Sequence, residues 1–180
     1  KPNGDLRGHK ADIYEGGHRV PFIVRWPGVI KSGSSSDRLI ATSDLYATTA
    51  EILGEPMTSS DGVDSISFLP TLKGISQPAR TAVVHHSIGG FFAIREGEWK
   101  LCLCPGSGGW SAPRPGKSPT DAPNVQLFNL ADDPAETTNV QADHPEKVAQ
   151  LTALLQVYID NGRSTAGPKQ ENDAEIVVMK

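Results

Sequence analysis

The stretch that decides the fold runs GHKADIYEGGHRVPFIVRWPG from Gly8 to Gly28. Its first half is a glycine-rich polar loop that carries lysine, histidine and arginine side chains. Its second half, Val20–Trp26, is an apolar run bounded by turn residues, which is typical of a buried strand. Polar loops fixed by a rigid strand often hold ligands in α/β proteins. The stretch therefore predicts one strand of an α/β architecture, preceded by a functional loop.

The amino-acid composition excludes some classes of function. The chain has 180 residues and a formal net charge of -4, which argues against a nucleic-acid partner. No apolar run is long enough to predict a membrane span. The 18 glycines and 14 prolines predict many loops. No signal peptide is recognisable, and the start at Lys1 resembles a point inside a longer protein.

The first part of the chain predicts two helical segments after the strand. Ser43 can cap the first helix, Asp44 suits its first turn and Gly54 can end it. Ser67–Lys73 predicts a short helical turn that ends at Gly74. The expected apolar face of the longer helix comprises Leu45, Thr48, Thr49, Ile52 and Leu53.

The second part predicts a small antiparallel sheet and one long helix. Glu96-Gly97 predicts a hairpin turn, and His144–Asn161 carries an apolar face of helical period. The predicted strands are Thr81–Ser87, Phe91–Arg95, Trp99–Cys104 and Val125–Leu130. The fold class is thus α/β, with part of a doubly wound domain at 1–78, an antiparallel-sheet-plus-helix subdomain at 79–162 and an irregular tail at 163–180.

The cysteines predict no metal site. Cys102 and Cys104 lie two residues apart on a predicted strand, and no second pair of ligands with suitable spacing accompanies them. We expect two reduced, half-buried cysteines.

The loop at the start of the chain contains the strongest candidate for ligand binding. Lys10 lies among glycines and other cationic residues, which suits an anion such as sulfate or phosphate, although a solvated basic loop would also explain the pattern. His18 and Arg19 are further candidates to face a substrate. Glu15 is expected to form a structural ion pair or backbone contact, and Gly16-Gly17 to allow close backbone packing.

Two candidates come from the second part. His85 and His86 are adjacent on a strand and point to opposite faces, so they are not expected to form a metal pair. His86 is the one expected to reach a pocket, and a hydrogen-bonded structural histidine is the alternative. Trp110, on a glycine-rich loop, could stack on a sugar or aryl ring or anchor its own loop.

Several motifs resemble the sulfatases of the alkaline phosphatase superfamily. Lys10, followed by Tyr14-Glu15-Gly16-Gly17, is similar to the G-x-K…Y-E-G-G segment of that family. Ser43–Thr48, Ala93–Leu101 and Gln126–Asn139 resemble its S-x-D-L-x-x-T, A-I-R-x-G-x-W-K-L and E-L-Y-D-L…D-P-x-E-x-x-N segments, in the same order.

The resemblance implies a partial alkaline-phosphatase-like fold and a role in sulfuric ester hydrolysis. It implies that Lys10 contacts the sulfate group. The family's formylglycine motif, C-x-P/A-x-R, is not matched by Cys104–Gly108. The nucleophile and the calcium ligands are expected before Lys1, so the chain resembles the C-terminal part of a sulfatase. We expect no cofactor to bind this chain and no turnover by the chain alone.

Other interpretations stay open at this point. The chain could be a carbohydrate-binding or interaction module on the same fold, or part of a phosphodiesterase or phosphonate hydrolase of the superfamily. The resemblance implies a sulfated small molecule or polysaccharide as partner, with neither nucleic acid nor membrane, and a periplasmic or secreted location. It is nearest to the sulfatases of polysaccharide-degrading bacteria. The first 74 residues are expected to expose the apolar faces of a sheet and a helix whose partners are absent, which favours association or domain exchange.

Overall fold

The structure, a computed structural model, describes residues 3–76 and 80–179. The chain divides into two compact units, Lys1–Pro21 with Val84–Leu155 and Ile176–Lys180, and Phe22–Val83 with Gln156–Glu175. The elements are α1 (Glu15–His18), α2 (Asp44–Leu53), α3 (Leu69–Leu72), β1 (Ala82–His86), β2 (Phe92–Glu96), β3 (Trp99–Cys102), β4 (Gln126–Asn129) and α4 (Pro145–Asn161). The predicted domain boundary between residues 78 and 79 lies outside the described residues, and the predicted division stays a prediction.

A four-stranded sheet organises the first unit. Its order is β1-β2-β3-β4, with β2–β3 and β3–β4 antiparallel, and Leu101 pairs with Ile94 on one side and Leu127 on the other. The hairpin turn is Gly97-Glu98, one residue later than predicted, because Glu96 still pairs with Trp99. Gly97 has a φ of +58°, which glycine adopts without steric cost. All four predicted strands of this part are confirmed.

The core of this unit lies against the sheet and includes residues from the start of the chain. Its buried cluster comprises Ile13, Tyr14, Ala93, Cys102, Cys104 and Phe128. The rings of Tyr14 and Phe128 meet edge to face at 6.2 Å, and the Tyr14 hydroxyl donates to Gln126 Oε1 at 3.0 Å. Burying a side chain such as Phe128 stabilises the fold by about 1.5–3 kcal/mol. The residues before α1 are thereby fixed to the sheet.

The two cysteines are free, as predicted, but are fully buried rather than half-buried. The prediction was wrong on burial because the core covers both faces of β3 at this end. Burial raises the pKa of Cys104 to about 12 and also raises that of Cys102. Both therefore stay protonated at neutral pH and are poor nucleophiles.

Helix α4 confirms the predicted helix, with its start at Pro145 instead of His144. Proline suits the first helical position, and Gly162, with a φ of +59°, follows the last one. The helix buries Leu151 and Leu155. Near its start, Gln150 Nε2 donates to Glu96 Oε2 at 2.8 Å, which holds the helix beside the β2–β3 hairpin.

In the second unit, α2 begins differently from the prediction. Ser43 has helical backbone angles (φ -59°, ψ -26°) and makes no capping bond with its side chain, whereas a capping residue is normally extended. The first N–H groups of the helix, those of Asp44, Leu45 and Tyr46, donate instead to the carbonyls three residues earlier. Asp44 is buried and also paired with Arg80. Gly54, with a φ of +71°, ends the helix as predicted, and α3 confirms the predicted helical turn.

Two apolar segments, α2 and residues 20–26, are exposed, as expected for apolar faces whose partners are absent. The predicted face of α2 leaves Leu53 68% exposed. Val20–Trp26 was predicted as a buried strand, but no strand forms there and Ile23 is 91% exposed. The physical reason is that a strand needs a neighbouring strand to pair with, and no described residue hydrogen-bonds to the backbone of residues 20–25.

Among residues 3–76 and 80–179, no helix is both long and apolar enough to cross a bilayer.

Candidate functional site

Lys10 lies in a tight turn formed by His9, Lys10, Ala11 and Asp12. The turn is closed by the N–H of Asp12, which donates to the carbonyl of His9 at 3.0 Å. Ala11 has a φ of +86°, a conformation that residues other than glycine rarely adopt, and its carbonyl accepts the N–H of Ile88 at 3.0 Å. Lys10 is exposed, and no carboxylate within the described ranges pairs with it. The ammonium group is therefore free to bind an anion.

The buried carboxylate of Asp12 fastens this turn to a distant loop. Its Oδ1 accepts the N–H groups of Trp110 at 2.8 Å and Ser111 at 3.0 Å. Its Oδ2 accepts the N–H of His9 at 2.9 Å and the Ser111 hydroxyl. Burial raises the pKa of Asp12, but the hydrogen bonds from Ser111, His9 and Trp110 together lower it by more. The pKa of Asp12 therefore lies below its usual value. The carboxylate is thus held ionised, and Lys10 and Trp110 are brought onto neighbouring loops.

After the turn the chain enters the short helix α1, where a loop was predicted. This helix depends on its two glycines. A Cβ at Gly16 would collide with the carbonyl oxygens of Arg7 and Gly8, and one at Gly17 with that of Asp12. The expected close backbone packing at Gly16-Gly17 is therefore confirmed.

A buried cluster of charges lies beneath α1. Lys100 is 0% exposed, and its Nζ contacts Glu15 Oε1 at 3.2 Å and Glu136 Oε1 at 2.8 Å. Glu15 also pairs with Arg95 at 3.1 Å, and its backbone N–H donates to Glu136 Oε2 at 2.6 Å. The structural ion pair expected for Glu15 is confirmed. The cluster ties the start of α1 to strands β2 and β3.

The pKa values in this cluster reflect burial and mutual attraction. Burial alone would lower the pKa of Lys100, but the anionic neighbours Glu136 and Glu15 raise it above its usual value. Burial raises the pKa of Glu136, and Lys100 opposes that rise. Lys100 is therefore held as an ammonium ion, and losing it would leave the buried Glu136 without its counter-charge and Glu15 with Arg95 alone.

His18, at the end of α1, packs against His85 from β1. Their ring centroids are 3.9 Å apart, and both Nε2 atoms are buried without a partner among the described residues. Burial lowers the pKa of His18 to about 4, and the charge of Lys100 adds to the effect. Burial also lowers the pKa of His85. Both rings are therefore neutral at neutral pH, and the structure places His18 in a buried pair.

The other predicted site residues lie at the surface of the first unit. Arg19 is exposed, with its backbone N–H donating to Glu15. His86 is exposed, as opposite-face placement beside His85 requires, and its Nδ1 lies 2.9 Å from the carbonyl of Ser87. Trp110 is 48% exposed. Their contact with a substrate stays a prediction, as does that of His18 and Lys10.

Sequence reasoning counted His9 only among the cationic neighbours of Lys10. It missed the roles of four residues that build the site: Asp12, Lys100, Ser111 and Glu136. Lys100 carried a signal, because it stands between Trp99 and Leu101 on a strand otherwise made of apolar residues. Glu136 lies in the segment that resembles D-P-x-E-x-x-N, which does not reveal its partners. Asp12 carried no signal, since its partner Trp110 lies 98 residues away along the chain.

The described residues do not fit the calcium ion that the resemblance implies for the family. Within residues 3–76 and 80–179, no three His, Cys, Asp or Glu side chains converge on a point that could hold a metal. The oxygens of Asp12, the most enclosed carboxylate near Lys10, all face hydrogen-bond donors. No step of the chemistry below is routed through a metal.

Comparison with known proteins agrees with this fold. The family profile described as Sulfatase matches residues 1–55. N-acetylgalactosamine-6-O-sulfatase of Bacteroides thetaiotaomicron is 34% identical over 169 residues, covering 86% of this chain and 30% of the relative. A solved structure from the same organism, connected with the metabolism of multiple glycosaminoglycans, is 32% identical with a TM-score of 0.71, and the match covers 87% of this chain and 32% of that one.

A more distant solved structure shares the fold. The PsFucS1 sulfatase from Pseudoalteromonas is 24% identical with a TM-score of 0.64, and the match covers 85% of this chain and 32% of that chain. These matches confirm a partial alkaline-phosphatase-like fold with a small antiparallel sheet packed on a helix. Proteins of this class hydrolyse sulfuric esters. The chain belongs to the sulfatase family and matches its C-terminal part. It spans about 30% of the length of the first of these relatives.

Proposed function

We propose that this chain supplies one wall of the active site of a sulfatase that hydrolyses sulfate esters of carbohydrates. The observation that carries the proposal is Lys10, an exposed lysine without a carboxylate partner among the described residues, at the tip of a turn fastened by Asp12. The nucleophile, a formylglycine, and the calcium ligands would come from sequence before Lys1. Aryl sulfates are the alternative substrate class.

The chemistry assigned to Lys10 is electrostatic. When the S–O ester bond breaks, negative charge develops on the sulfate oxygens and on the leaving oxygen. A fixed ammonium group that donates hydrogen bonds to those oxygens stabilises the transition state more than the ground state. The turn restricts where the backbone of Lys10 can lie, which reduces the entropy lost on binding. The nucleophile supplied outside this chain provides the bond-forming step.

Two observations favour a carbohydrate sulfate. The relative at 34% identity is named for the 6-O-sulfate of N-acetylgalactosamine. Trp110 is half-exposed and fixed by Asp12 to the Lys10 turn, and an aromatic face beside a sulfate site suits a sugar ring. A periplasmic or secreted location, and action within bacterial polysaccharide degradation, belong to the same proposal.

The test compares this chain with a longer one from the same reading frame. The longer protein should release sulfate from N-acetylgalactosamine 6-sulfate, and residues 1–180 alone should release none. Hydrolysis of a phosphodiester such as bis(4-nitrophenyl) phosphate in place of sulfate esters would indicate the phosphodiesterase alternative. Binding of sulfated sugar by residues 1–180 without hydrolysis by either protein would indicate a carbohydrate-binding module.

A further inference from the structure

The strongest feature that the proposed function does not use is His9. Its side chain is 51% exposed, and its ring is nevertheless fixed. Nδ1 lies 2.9 Å from Ser111 Oγ and 3.2 Å from Asp12 Oδ2, so two polar groups hold one edge of the imidazole. A half-exposed histidine with one nitrogen anchored by a carboxylate is oriented for use at its other nitrogen.

The hydrogen-bond arrangement defines which nitrogen of His9 carries the proton. The Ser111 hydroxyl has one proton, and it donates that proton to Asp12 Oδ2. Ser111 Oγ and Asp12 Oδ2 therefore both act as acceptors toward Nδ1. Nδ1 must carry a proton in both charge states of the ring. Nε2 is the atom left free, and in the imidazolium form it becomes an outward N–H donor.

His9 and Lys10 therefore form a pair of adjacent donors. Neither Nε2 of His9 nor the ammonium group of Lys10 has a hydrogen-bond partner among residues 3–76 and 80–179, and both residues belong to one closed turn. Two cationic donors on one short turn favour binding of a polyoxygen anion, which accepts several charge-assisted hydrogen bonds. Asp12, whose Oδ2 lies 3.2 Å from Nδ1 of His9, contacts the ring at Nδ1 and leaves Nε2 available for an anion.

We propose that His9 is a second contact for the sulfate group that Lys10 binds, through Nε2–H of its imidazolium form. This inference rests on the proposed function. Asp12 and Ser111 act as positioning residues, because they hold the ring through Nδ1 and do not touch the anion themselves.

The experiment is nuclear magnetic resonance of the chain with ¹⁵N-labelled histidine and lysine, titrated with sodium sulfate against sodium chloride at matched ionic strength. In alkaline solution the neutral ring of His9 should show its proton on Nδ1. In mildly acidic solution sulfate should shift Nε2 of His9 and the ammonium resonance of Lys10 with the same dissociation constant. His144 is the matched control, because it is 41% exposed and lies 3.4 Å from the carboxylate of Glu146, yet it has no place in the turn.

The variant His9→Gln should weaken sulfate binding about tenfold, the loss expected for one charge-assisted hydrogen bond. Sulfate that shifts Lys10 but leaves His9 unmoved would overturn this inference and leave the Lys10 site standing. Sulfate that shifts neither residue would overturn both. Equal shifts of His9 and His144 would show adventitious binding and would also overturn it.

A second measurement does not depend on the isolated chain. In the catalytically competent protein, His9→Gln should raise KM for a sulfate ester about tenfold while kcat changes much less, because the contact is present in ground state and transition state alike. An unchanged KM would overturn the inference.

Discussion

Asp12 accepts the backbone N–H of Trp110 at 2.8 Å, across 98 residues of sequence. This bond joins the turn that carries Lys10 to the glycine-rich loop that carries the half-exposed tryptophan. The two loops can therefore present a cation and an aromatic face with a fixed relationship, which is what recognition of a sulfated sugar requires.

Asp12→Asn should destabilise the protein by about 2 kcal/mol, because a neutral amide replaces a buried carboxylate that accepts four hydrogen bonds. The measurement is chemical denaturation. Asp133→Asn is the control, since Asp133 also accepts backbone N–H groups but is less buried, and it should cost about 1 kcal/mol or less. Because folding lowers the pKa of Asp12, the ionised carboxylate stabilises the folded protein above about pH 4. This stabilisation is lost as pH falls through the folded pKa. Equal losses for the two variants would contradict the role given to Asp12.

Lys100→Met should destabilise the fold by about 3–5 kcal/mol, since it leaves Glu15 and Glu136 buried without their shared counter-ion. Adding Glu15→Gln and Glu136→Gln to Lys100→Met should recover much of the loss, because no buried charge then remains unpaired. Lys117→Met, at an exposed lysine, should change the free energy of unfolding by less than about 0.5 kcal/mol. A triple variant as unstable as Lys100→Met would show that the loss comes from packing.

The buried neutral ring of His18 should lower the free energy of unfolding by about 2 kcal/mol as pH falls from about 6.5 to about 4. Folding lowers the pKa of His18 to about 4, so the unfolded chain binds more protons in this range and is favoured by acid. Above the ordinary pKa of histidine the effect vanishes, and below the folded pKa it is complete. The free energy of unfolding measured across this range should depend less on pH in His18→Gln. An unaltered pH dependence would mean that His18 is not buried as a neutral ring.

Ala11→Gly should stabilise the protein by about 0.5–1 kcal/mol, because the φ of +86° is strained for alanine and relaxed for glycine. The control is Ala50→Gly in the middle of α2, which should destabilise by about 1 kcal/mol. Thermal unfolding of the two variants should thus show opposite signs. Destabilisation by both would indicate that Ala11 does not have a positive φ in solution.

Patterns that are local in sequence predicted much of the fold. The period of α4 and the two-residue hairpin turn between β2 and β3 are visible within short windows, and the structure confirms both elements. The strand predicted over Val20–Trp26 does not form. An apolar run indicates a tendency to be buried, but it does not show which segment would pair with it or cover it. The same limit explains why α2 exposes its apolar face.

The site was predictable only in part. Lys10 was identified from its glycine-rich surroundings and its resemblance to a family motif. The residues that hold its turn were not, because Asp12 and Ser111 meet across 99 residues of sequence. Long-range polar contacts leave no periodic pattern in the sequence, so no local rule would have found them.

The most direct test is the rate of sulfate ester hydrolysis after removal of the Lys10 ammonium group. Lys10→Ala in the catalytically competent protein should lower kcat/KM for N-acetylgalactosamine 6-sulfate by about 100-fold or more, the loss expected for a group that stabilises transition-state charge. Lys31→Ala, at another exposed lysine, should leave kcat/KM unchanged. A Lys10→Ala protein that hydrolyses the ester as fast as the Lys31→Ala control would contradict the assignment of Lys10 to the sulfate site.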